Sequence, residues 1–236
     1  MSTYIMSDLH GNYDAYMKLL EIIRFSPSDM LYILGDILDR GPHPIRIIQD
    51  LMARPNVVCL AGNHEHMALA CLPFLMQEIT EDSLEDFNQD RMEQLLNWQE
   101  NGSATTIEEF SKLTRDAQQA VIDFIADFEL YEEVQVNGEI YILVHAGLGN
   151  FRPARELWDY DLVELVGQRP DYDKPYFPDK YVITGHTPTM AIPNNPRPGQ
   201  IYRCNRHIAI DCGAGFGGKL ACLCLETGQE FYADCL

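Results

Sequence analysis

The sequence predicts an α/β protein in which two mixed β-sheets pack face to face and helices cover their outer faces. Three observations lead to this fold class. Strand and helix patterns alternate in the first third of the chain, and strand patterns follow one another in the last third. In addition, 46% of the 236 residues are hydrophobic, which is enough for a substantial core. The length suits one large domain, so we predict a single domain over residues 1–236.

The first third of the chain is typical of a βαβαβ unit. The apolar segments TYIMSD, DMLYILGD and NVVCLAGN predict three strands. Apolar residues at helical spacing over 13–23 and 45–52 predict the two helices between them, with Pro44 near the start of the second. Strands joined in this order run parallel and are buried on both faces.

Residues from about 78 to 130 differ in composition from the rest of the chain. They are strongly acidic, and apolar residues at helical spacing predict one helix near 87–98 and another over 117–128. The segment NGSATT reads as a loop leading into a capped helix. We therefore predict a helical insertion on one side of the sheet, with most of its charge on a solvated face.

Strand patterns dominate the last third. EEVQVNGEIYILVHAG predicts a hairpin with its turn at Asn137 and Gly138. YVITGHT, HIAIDCG, KLACLCLE and QEFYA predict further strands, divided by Gly- and Pro-rich segments. We expect these strands to form the second sheet.

Charge and targeting signals limit the possible partners. The formal net charge of −19 disfavours binding to nucleic acid, because phosphates would be repelled. The N-terminal segment does not resemble a signal peptide, and no apolar run is long enough to span a bilayer. We expect a cytoplasmic protein without a membrane partner. The seven cysteines are odd in number and form no CxxC pair, which predicts buried reduced thiols.

Polar residues of several kinds follow the predicted strands. Asp8 and His10 follow the first strand, and later strands end in segments such as GDILDRG and GNHE. In parallel α/β sheets, ligands bind just beyond the carboxyl ends of the strands. Imidazole, carboxylate and amide oxygen without thiolate suit Mn²⁺, Fe or Zn²⁺. The pattern therefore predicts a metal site at this edge.

DLHG, GDILDRG, GNHE, HAG and GHT, in this order, resemble the motif set of the calcineurin-like metallophosphoesterases. GDILDRG together with GNHE is similar to the PPP branch, the serine/threonine protein phosphatases, and in particular to its small bacterial members. The tail HIAIDCGAGFGGKLACLCLETGQEFY is also similar to those members. The resemblance implies a four-layer αββα metallophosphoesterase sandwich and a hydrolase that acts on phosphoric ester bonds.

By matching position, the resemblance implies a centre of two divalent ions, with Mn²⁺ as the expected metal and Fe or Zn²⁺ as alternatives. Asp8, His10 and Asp36 would bind the first ion. Asp36 would bridge to the second ion, which Asn63, His145 and His186 would complete. Two ions about 3.5–4 Å apart can hold a hydroxide that attacks phosphorus in line.

Four further residues match catalytic positions of the family. His64 resembles the general acid that protonates the leaving group, and Asp39 resembles the carboxylate that orients it. Arg40 would clamp the phosphate through its planar fork. Arg169 matches the second phosphate-binding arginine, but the usual aromatic residue upstream is replaced by Val-Gly-Gln over 166–168. Alternatives nearer the HAG motif are Arg152 and Arg155.

Several residues near these motifs receive other expectations. Glu65 is expected to support the site or the start of the following helix, and His66 to pack or support it from behind. His43 is expected to be a loop residue and His207 a structural one. An aromatic group close to Arg169 forms either a substrate wall or part of the core: Tyr172, Tyr176 and Phe177.

Three functions are compatible with these residues. The leading hypothesis is a serine/threonine protein phosphatase that acts on phosphorylated proteins or peptides. A second is symmetrical hydrolysis of dinucleoside tetraphosphates, or broad phosphoesterase activity on small molecules. The charge of −19 argues mildly against a polyanionic substrate. A third, a non-catalytic metal-binding module, is disfavoured because every catalytic match is present.

Overall fold

The computed structural model describes residues 1–77 and 89–235. Its strands are β1 (Thr3–Met6), β2 (Met30–Ile33), β3 (Val57–Cys59), β4 (Tyr131–Val136), β5 (Glu139–Val144), β6 (Lys180–Thr184), β7 (Tyr202–Cys204), β8 (His207–Ala209), β9 (Lys219–Cys224) and β10 (Glu230–Asp234). Its α-helices are α1 (Tyr13–Ile22), α2 (Pro44–Met52), α3 (Asn63–Leu75), α4 (Gln89–Glu100), α5 (Ala104–Ser111), α6 (Arg115–Ala126) and α7 (Leu162–Val166).

The first sheet has the strand order β10-β9-β1-β2-β3. The strands β1, β2 and β3 pair in parallel, which confirms the predicted βαβαβ unit. The strands β9 and β10 were expected in the second sheet, but β9 pairs antiparallel with β1 and β10 with β9. The sequence of β9 explains this position. Cys222 packs toward the helices and Leu223 toward the other sheet, so both faces of β9 are buried beside β1.

The second sheet has the order β4-β5-β6-β8-β7. Its three central strands are parallel, whereas β4 and β7 join the two edges antiparallel. The predicted hairpin is confirmed, with positive φ at Asn137 and Gly138 as a tight two-residue turn requires. The short edge strand β7 was not predicted. The parallel strands point their carboxyl ends toward the same side as those of the first sheet.

The core consists of layers on either side of the two sheets. Ile5, Leu34 and Ile183 belong to a buried cluster that joins the sheets. A larger cluster covers the outer face of the first sheet with α1 and α2, and a smaller one packs α7 against the second sheet. Two packed mixed sheets with outer helices confirm the predicted fold class. None of the helices in the described part of the chain is long and apolar enough to cross a membrane.

The acidic region contains three helices within its described residues. The predicted helix over 117–128 is α6, and the one near 87–98 is α4, although residues 78–88 lie outside the described part. The expected NGSATT loop is shorter than predicted, because α5 begins at Ala104 and already contains both threonines. Trp98, Phe110 and Val121 pack these helices onto the main core. All seven cysteines are free thiols, and five of them are buried.

Candidate metal centre and active site

The strand ends bring the predicted polar residues to one edge of the two sheets. Asp8 follows β1 and Asp36 follows β2, and Asn63 begins α3 directly after β3. His145 follows β5 and His186 follows β6, so both sheets contribute. The side chains meet because these strands are parallel and end at the same edge. The structure thus brings the five strand ends and their polar residues together at one edge.

The backbone at this edge is unusual. Six of the predicted site residues have positive φ angles, which residues with a side chain rarely adopt. Each such residue costs roughly 1–3 kcal/mol and persists only where its surroundings enforce the conformation. Strain of this kind concentrates at functional sites. The six residues are Asp8, His10, Asp36, Asp39, Arg40 and His186.

Glu65 explains how the segment after β2 is held. Its carboxylate, which is completely buried, accepts hydrogen bonds from the backbone N–H groups of Asp36 (2.8 Å) and Ile37 (2.9 Å). It also accepts from Leu38 (3.2 Å) and from Gly62 (2.9 Å). One side chain thus ties the loop after β2 to the start of α3. This is the supporting role expected of Glu65.

Two histidines present a defined nitrogen to the centre of the site. The Nδ1–H of His10 donates to the carbonyl of Leu38 at 2.9 Å, and that of His145 donates to the carbonyl of Leu34 at 2.6 Å. In the neutral ring each Nε2 is therefore the nitrogen without a proton, as in histidines that bind metals. The carboxylate of Asp36 lies between them, 3.7 Å from His10 Nε2 and 3.4 Å from His145 Nε2.

The amide oxygen of Asn63 completes the second half of the cluster. Its Oδ1 lies 3.1 Å from His145 Nε2 and 2.9 Å from His186 Nδ1. Ligand atoms that share one ion at about 2.1 Å stand about 3 Å apart, so these spacings fit a common ion. The chemistry also fits, because imidazole, carboxylate and amide oxygen are all present without a thiolate. The residues present therefore fit a divalent metal centre with Asp36 in its middle.

Asp8 lies beside this cluster, outside its two groups of closely spaced ligand atoms. Its carboxylate accepts from the backbone N–H of His186 at 3.0 Å and from the hydroxyl of Ser7. Burial raises the pKa of Asp8 well above its ordinary value, and the nearby charges of Asp211 and Asp36 add to this effect. A bound cation would favour the ionised carboxylate.

Asp211 is a buried carboxylate that sequence analysis missed. It follows β8, a central parallel strand, and only 3% of its surface is exposed. Burial raises the pKa of Asp211 to about 7, and the charge of Asp36 contributes. The signal was available, since the segment HIAIDCG places an Asp just after a strand in the same way as the other motifs do.

His64 and Asp39 form a buried pair. The imidazole Nδ1 lies 2.6 Å from Asp39 Oδ2, and neither side chain is exposed to solvent. Burial alone would lower the pKa of His64, but the negative charges of Asp36 and Asp39 outweigh it and raise that pKa. His64 Nε2 also lies 3.9 Å from Asp36 Oδ2, so distance alone fits either a ligand or a proton donor. The bond to Asp39 favours the donor.

The guanidinium of Arg40 lies between two site histidines. Its two terminal nitrogens donate to His10 Nε2 at 2.8 Å and to His64 Nε2 at 3.0 Å. The ring of Phe216 covers it, with its centroid 4.5 Å from the guanidinium carbon. Phe216 itself is 65% exposed. A planar cation and an exposed aromatic ring thus lie side by side at the mouth of the site, and the ring was not predicted.

The three candidate second arginines differ in their surroundings. Arg169 is exposed. Burial lowers the pKa of His186 to about 3, and the positive charges of His145 and Arg169 contribute to this shift. Arg169 therefore lies on the side of the site where His186 is. Arg155 instead donates to Glu164 at 2.8 Å and stacks on a tyrosine ring. Arg152 is exposed in the loop before it. The placement favours Arg169.

Other predictions for this region have mixed outcomes. His66 is exposed, so the packing role predicted for it is wrong; it faces solvent on α3, whereas the two preceding residues face inward. The alternative of a substrate wall near Arg169 is also not seen. Tyr172 and Tyr176 lie edge-on to the buried ring of His207, with centroids 5.6 and 4.5 Å away. Phe177 packs against Phe151 in the same interior.

Two packed mixed sheets with a carboxylate-bridged histidine cluster at their shared edge define a metallophosphoesterase. The family model for calcineurin-like phosphoesterases matches residues 1–190, and the chain belongs to this family.

Two sequence relatives within the family share one name. A symmetrical bis(5'-nucleosyl)-tetraphosphatase from Methylobacillus flagellatus is 26% identical, with 100% of this chain and 96% of that protein aligned. A protein of the same name from Erwinia tasmaniensis is 34% identical over 116 residues, which are 48% of this chain and 42% of that protein. The chain thus aligns with less than half the length of the Erwinia relative.

Solved structures agree with the fold. A candidate diadenosine tetraphosphatase has a TM-score of 0.64 at 16% identity, with 100% of this chain and 94% of that chain covered. A serine/threonine phosphatase from Saccharomyces cerevisiae has a TM-score of 0.58 at 12% identity, with 100% and 79% covered. At these identities the likeness extends to the fold alone.

Proposed function

We propose that the protein is a metal-dependent phosphomonoesterase whose substrates are phosphoserine and phosphothreonine in proteins or peptides. The observation that carries this proposal is the buried His64–Asp39 pair beside the ligand cluster. We further propose that residues 1–236 act as one domain in the cytoplasm, with the helices within 89–126 as an insertion, and without a nucleic-acid or membrane partner.

The leaving group explains why this pair favours an alkyl phosphate ester. Hydrolysis of phosphoserine expels an alkoxide, a strong base whose conjugate acid is almost as weak as water. Symmetrical cleavage of a dinucleoside tetraphosphate expels a nucleotide, whose terminal phosphate has a pKa of about 6. Only the first reaction depends strongly on a general acid. A buried imidazole held by a carboxylate is the device that such a reaction needs.

The other residues would bind and orient the substrate. Asp8, His10 and Asp36 would hold one divalent ion, and Asp36, Asn63, His145 and His186 a second, with Mn²⁺ as the expected metal. Bound ions would supply Lewis acidity toward the phosphate and a water that ionises near neutral pH. Arg40 and Arg169 would hold the phosphate oxygens, for which Arg40 must exchange its histidine contacts for the substrate. His64 would then donate its Nε2 proton to the leaving oxygen.

A second candidate is symmetrical dinucleoside tetraphosphate hydrolysis. The names of the two sequence relatives support it. So does Phe216, an exposed aromatic ring beside the phosphate-binding Arg40, where a nucleobase could stack. The net charge of −19 opposes a polyanionic substrate, although bound ions would dominate the local field. We therefore place this activity second.

A substrate panel tests the choice. The Mn²⁺-loaded protein is assayed on a phosphoserine peptide, a phosphotyrosine peptide, diadenosine tetraphosphate and an aryl phosphate. We expect the phosphoserine peptide to be turned over efficiently. The proposal is wrong if the dinucleotide is cleaved efficiently while the peptide is not.

The variant His64→Asn tests the mechanism in the same panel. It should keep both metal ions and lose roughly 10²-fold or more of its turnover on the phosphoserine peptide, as expected for a lost general acid. Metal content is measured by elemental analysis of protein loaded in turn with Mn²⁺, Fe and Zn²⁺. A fall to one ion per chain would instead identify His64 as a ligand.

A further inference from the structure

The carboxylate of Asp39 receives more support than a single histidine would require. Three side chains donate to it: His64 Nδ1 at 2.6 Å, Trp98 Nε1 at 2.8 Å and Thr106 Oγ1 at 2.5 Å. Trp98 and Thr106 come from α4 and α5, in the helical region whose purpose the sequence did not reveal. All four side chains are completely buried. The helical region thus reaches the proposed proton donor through one carboxylate.

Thr106 holds Asp39 at two points. The hydroxyl of Thr106 donates to Asp39 Oδ1. The oxygen of that hydroxyl also accepts a hydrogen bond from the backbone N–H of Asp39 at 3.0 Å. Asp39 needs such support because its φ of 71° is in the left-handed region. The next residue is held by the turn just before α5, since the N–H of Arg40 donates to the carbonyl of Gly102 at 2.9 Å. The α4–α5 turn and the first residues of α5 therefore fix Arg40 and Asp39 together.

Trp98 and His64 share one oxygen of Asp39. Both donate to Oδ2, while Thr106 occupies Oδ1, so the carboxylate cannot rotate without breaking at least one bond. A fixed Oδ2 fixes the imidazole, because Nδ1–H must face it. The opposite nitrogen, Nε2, is then directed toward Arg40 and the ligand cluster.

We infer that Trp98 and Thr106 are positioning residues that act through Asp39 to orient His64 as the proton donor. The inference rests on the proposed function, and it gives the α4–α5 segment a catalytic purpose. Neither residue would touch the substrate. Their effect should therefore appear only where a reaction needs the proton.

The test compares two substrates that differ in leaving group: a phosphoserine peptide, which expels an alkoxide, and p-nitrophenyl phosphate, whose phenolate leaves without a proton. In Thr106→Val, kcat for the peptide should fall roughly tenfold or more, the ratio expected for a lost hydrogen bond to a charged group. KM and the p-nitrophenyl phosphate rate should stay within about twofold. Thr106→Ser should restore most of the peptide rate, and Trp98→Phe should lose it in the same selective way.

Thr105→Val is the matched control, because Thr105 lies on the same helix and the hydrogen bonds of Asp39 do not involve it. It should match the wild type on both substrates. Equal losses on both substrates in Thr106→Val and Trp98→Phe would show a merely structural role and overturn the inference. So would unchanged peptide turnover in both variants while His64→Asn is inactive. Unchanged turnover in His64→Asn would instead refute the proposed function.

Circular dichroism melting accompanies every variant. If Thr106→Val does not fold, Trp98→Phe and Thr106→Ser decide the matter. A Trp98→Phe protein that folds and shows no selective loss on the peptide would overturn the inference on its own.

Discussion

The variant Glu65→Gln tests whether one buried carboxylate holds the site together. Glu65 accepts four backbone N–H groups, two on each oxygen. In glutamine, one oxygen becomes an NH₂ group that would face two donors and lose both bonds. A hydrogen bond to a charged group contributes about 1.5–3 kcal/mol, so the loss should be about 3–6 kcal/mol. That is a large part of the 5–15 kcal/mol typical of a folded domain.

Urea denaturation of the metal-free protein measures this loss. With a slope of about 2–3 kcal/mol per molar urea, the midpoint should fall by roughly 1 M or more. The matched control is His66→Ala, the next residue on α3, whose exposed side chain should leave the midpoint unchanged. Metal content should fall as well in Glu65→Gln, because Asp36 loses its support. A loss of stability below about 1 kcal/mol would refute the reasoning.

Two further predictions concern the metal centre. Burial raises the pKa of Asp8, and burial lowers the pKa of His186 to about 3. The His186 imidazole is therefore already neutral well below neutral pH. The Asp8 carboxyl, in contrast, must lose its proton to bind a cation. The affinity for Mn²⁺ should therefore rise with pH by up to about tenfold per pH unit. Calorimetry in two buffers of different ionisation enthalpy checks the proton release, and an affinity that does not rise with pH would contradict it. The second prediction concerns Gly62→Ala, in which the new Cβ would lie 2.3 Å from Asp36 Oδ1, so metal content and melting temperature should both fall. The matched control is Gly167→Ala, whose Cβ would lie 3.2 Å from one carbonyl oxygen and which should change both quantities little.

Sequence predicted the fold well where local patterns and topology agree. The βαβαβ order fixes a parallel sheet because helices must cross between neighbouring strands. The Asn137-Gly138 turn fixes the β4–β5 hairpin because both residues accept positive φ. The convergence of strand ends followed from the same topology, and it brought together residues as distant in the chain as Asp36 and His145.

Other features depended on tertiary context that a linear pattern does not contain. The strands β9 and β10 look like members of the nearest sheet in sequence, yet they pair with β1. The buried indole of Trp98 reads as an ordinary apolar position on a helix, and only the fold shows that its N–H meets Asp39. His66 lies two residues from His64, but the helical rotation between them turns it to solvent.

The contact between Asp8 and the backbone of His186 spans 178 positions in the chain. During synthesis, the ribosome adds residues at about 5–20 per second, so Asp8 waits several seconds or more for this partner. Loop closure over such a distance also favours late formation. The growing chain can fold its first βαβαβ unit long before that point, but it cannot complete the proposed metal centre. With His186 as a proposed ligand, full metal occupancy would require that translation has passed residue 186 and that both sheets have docked.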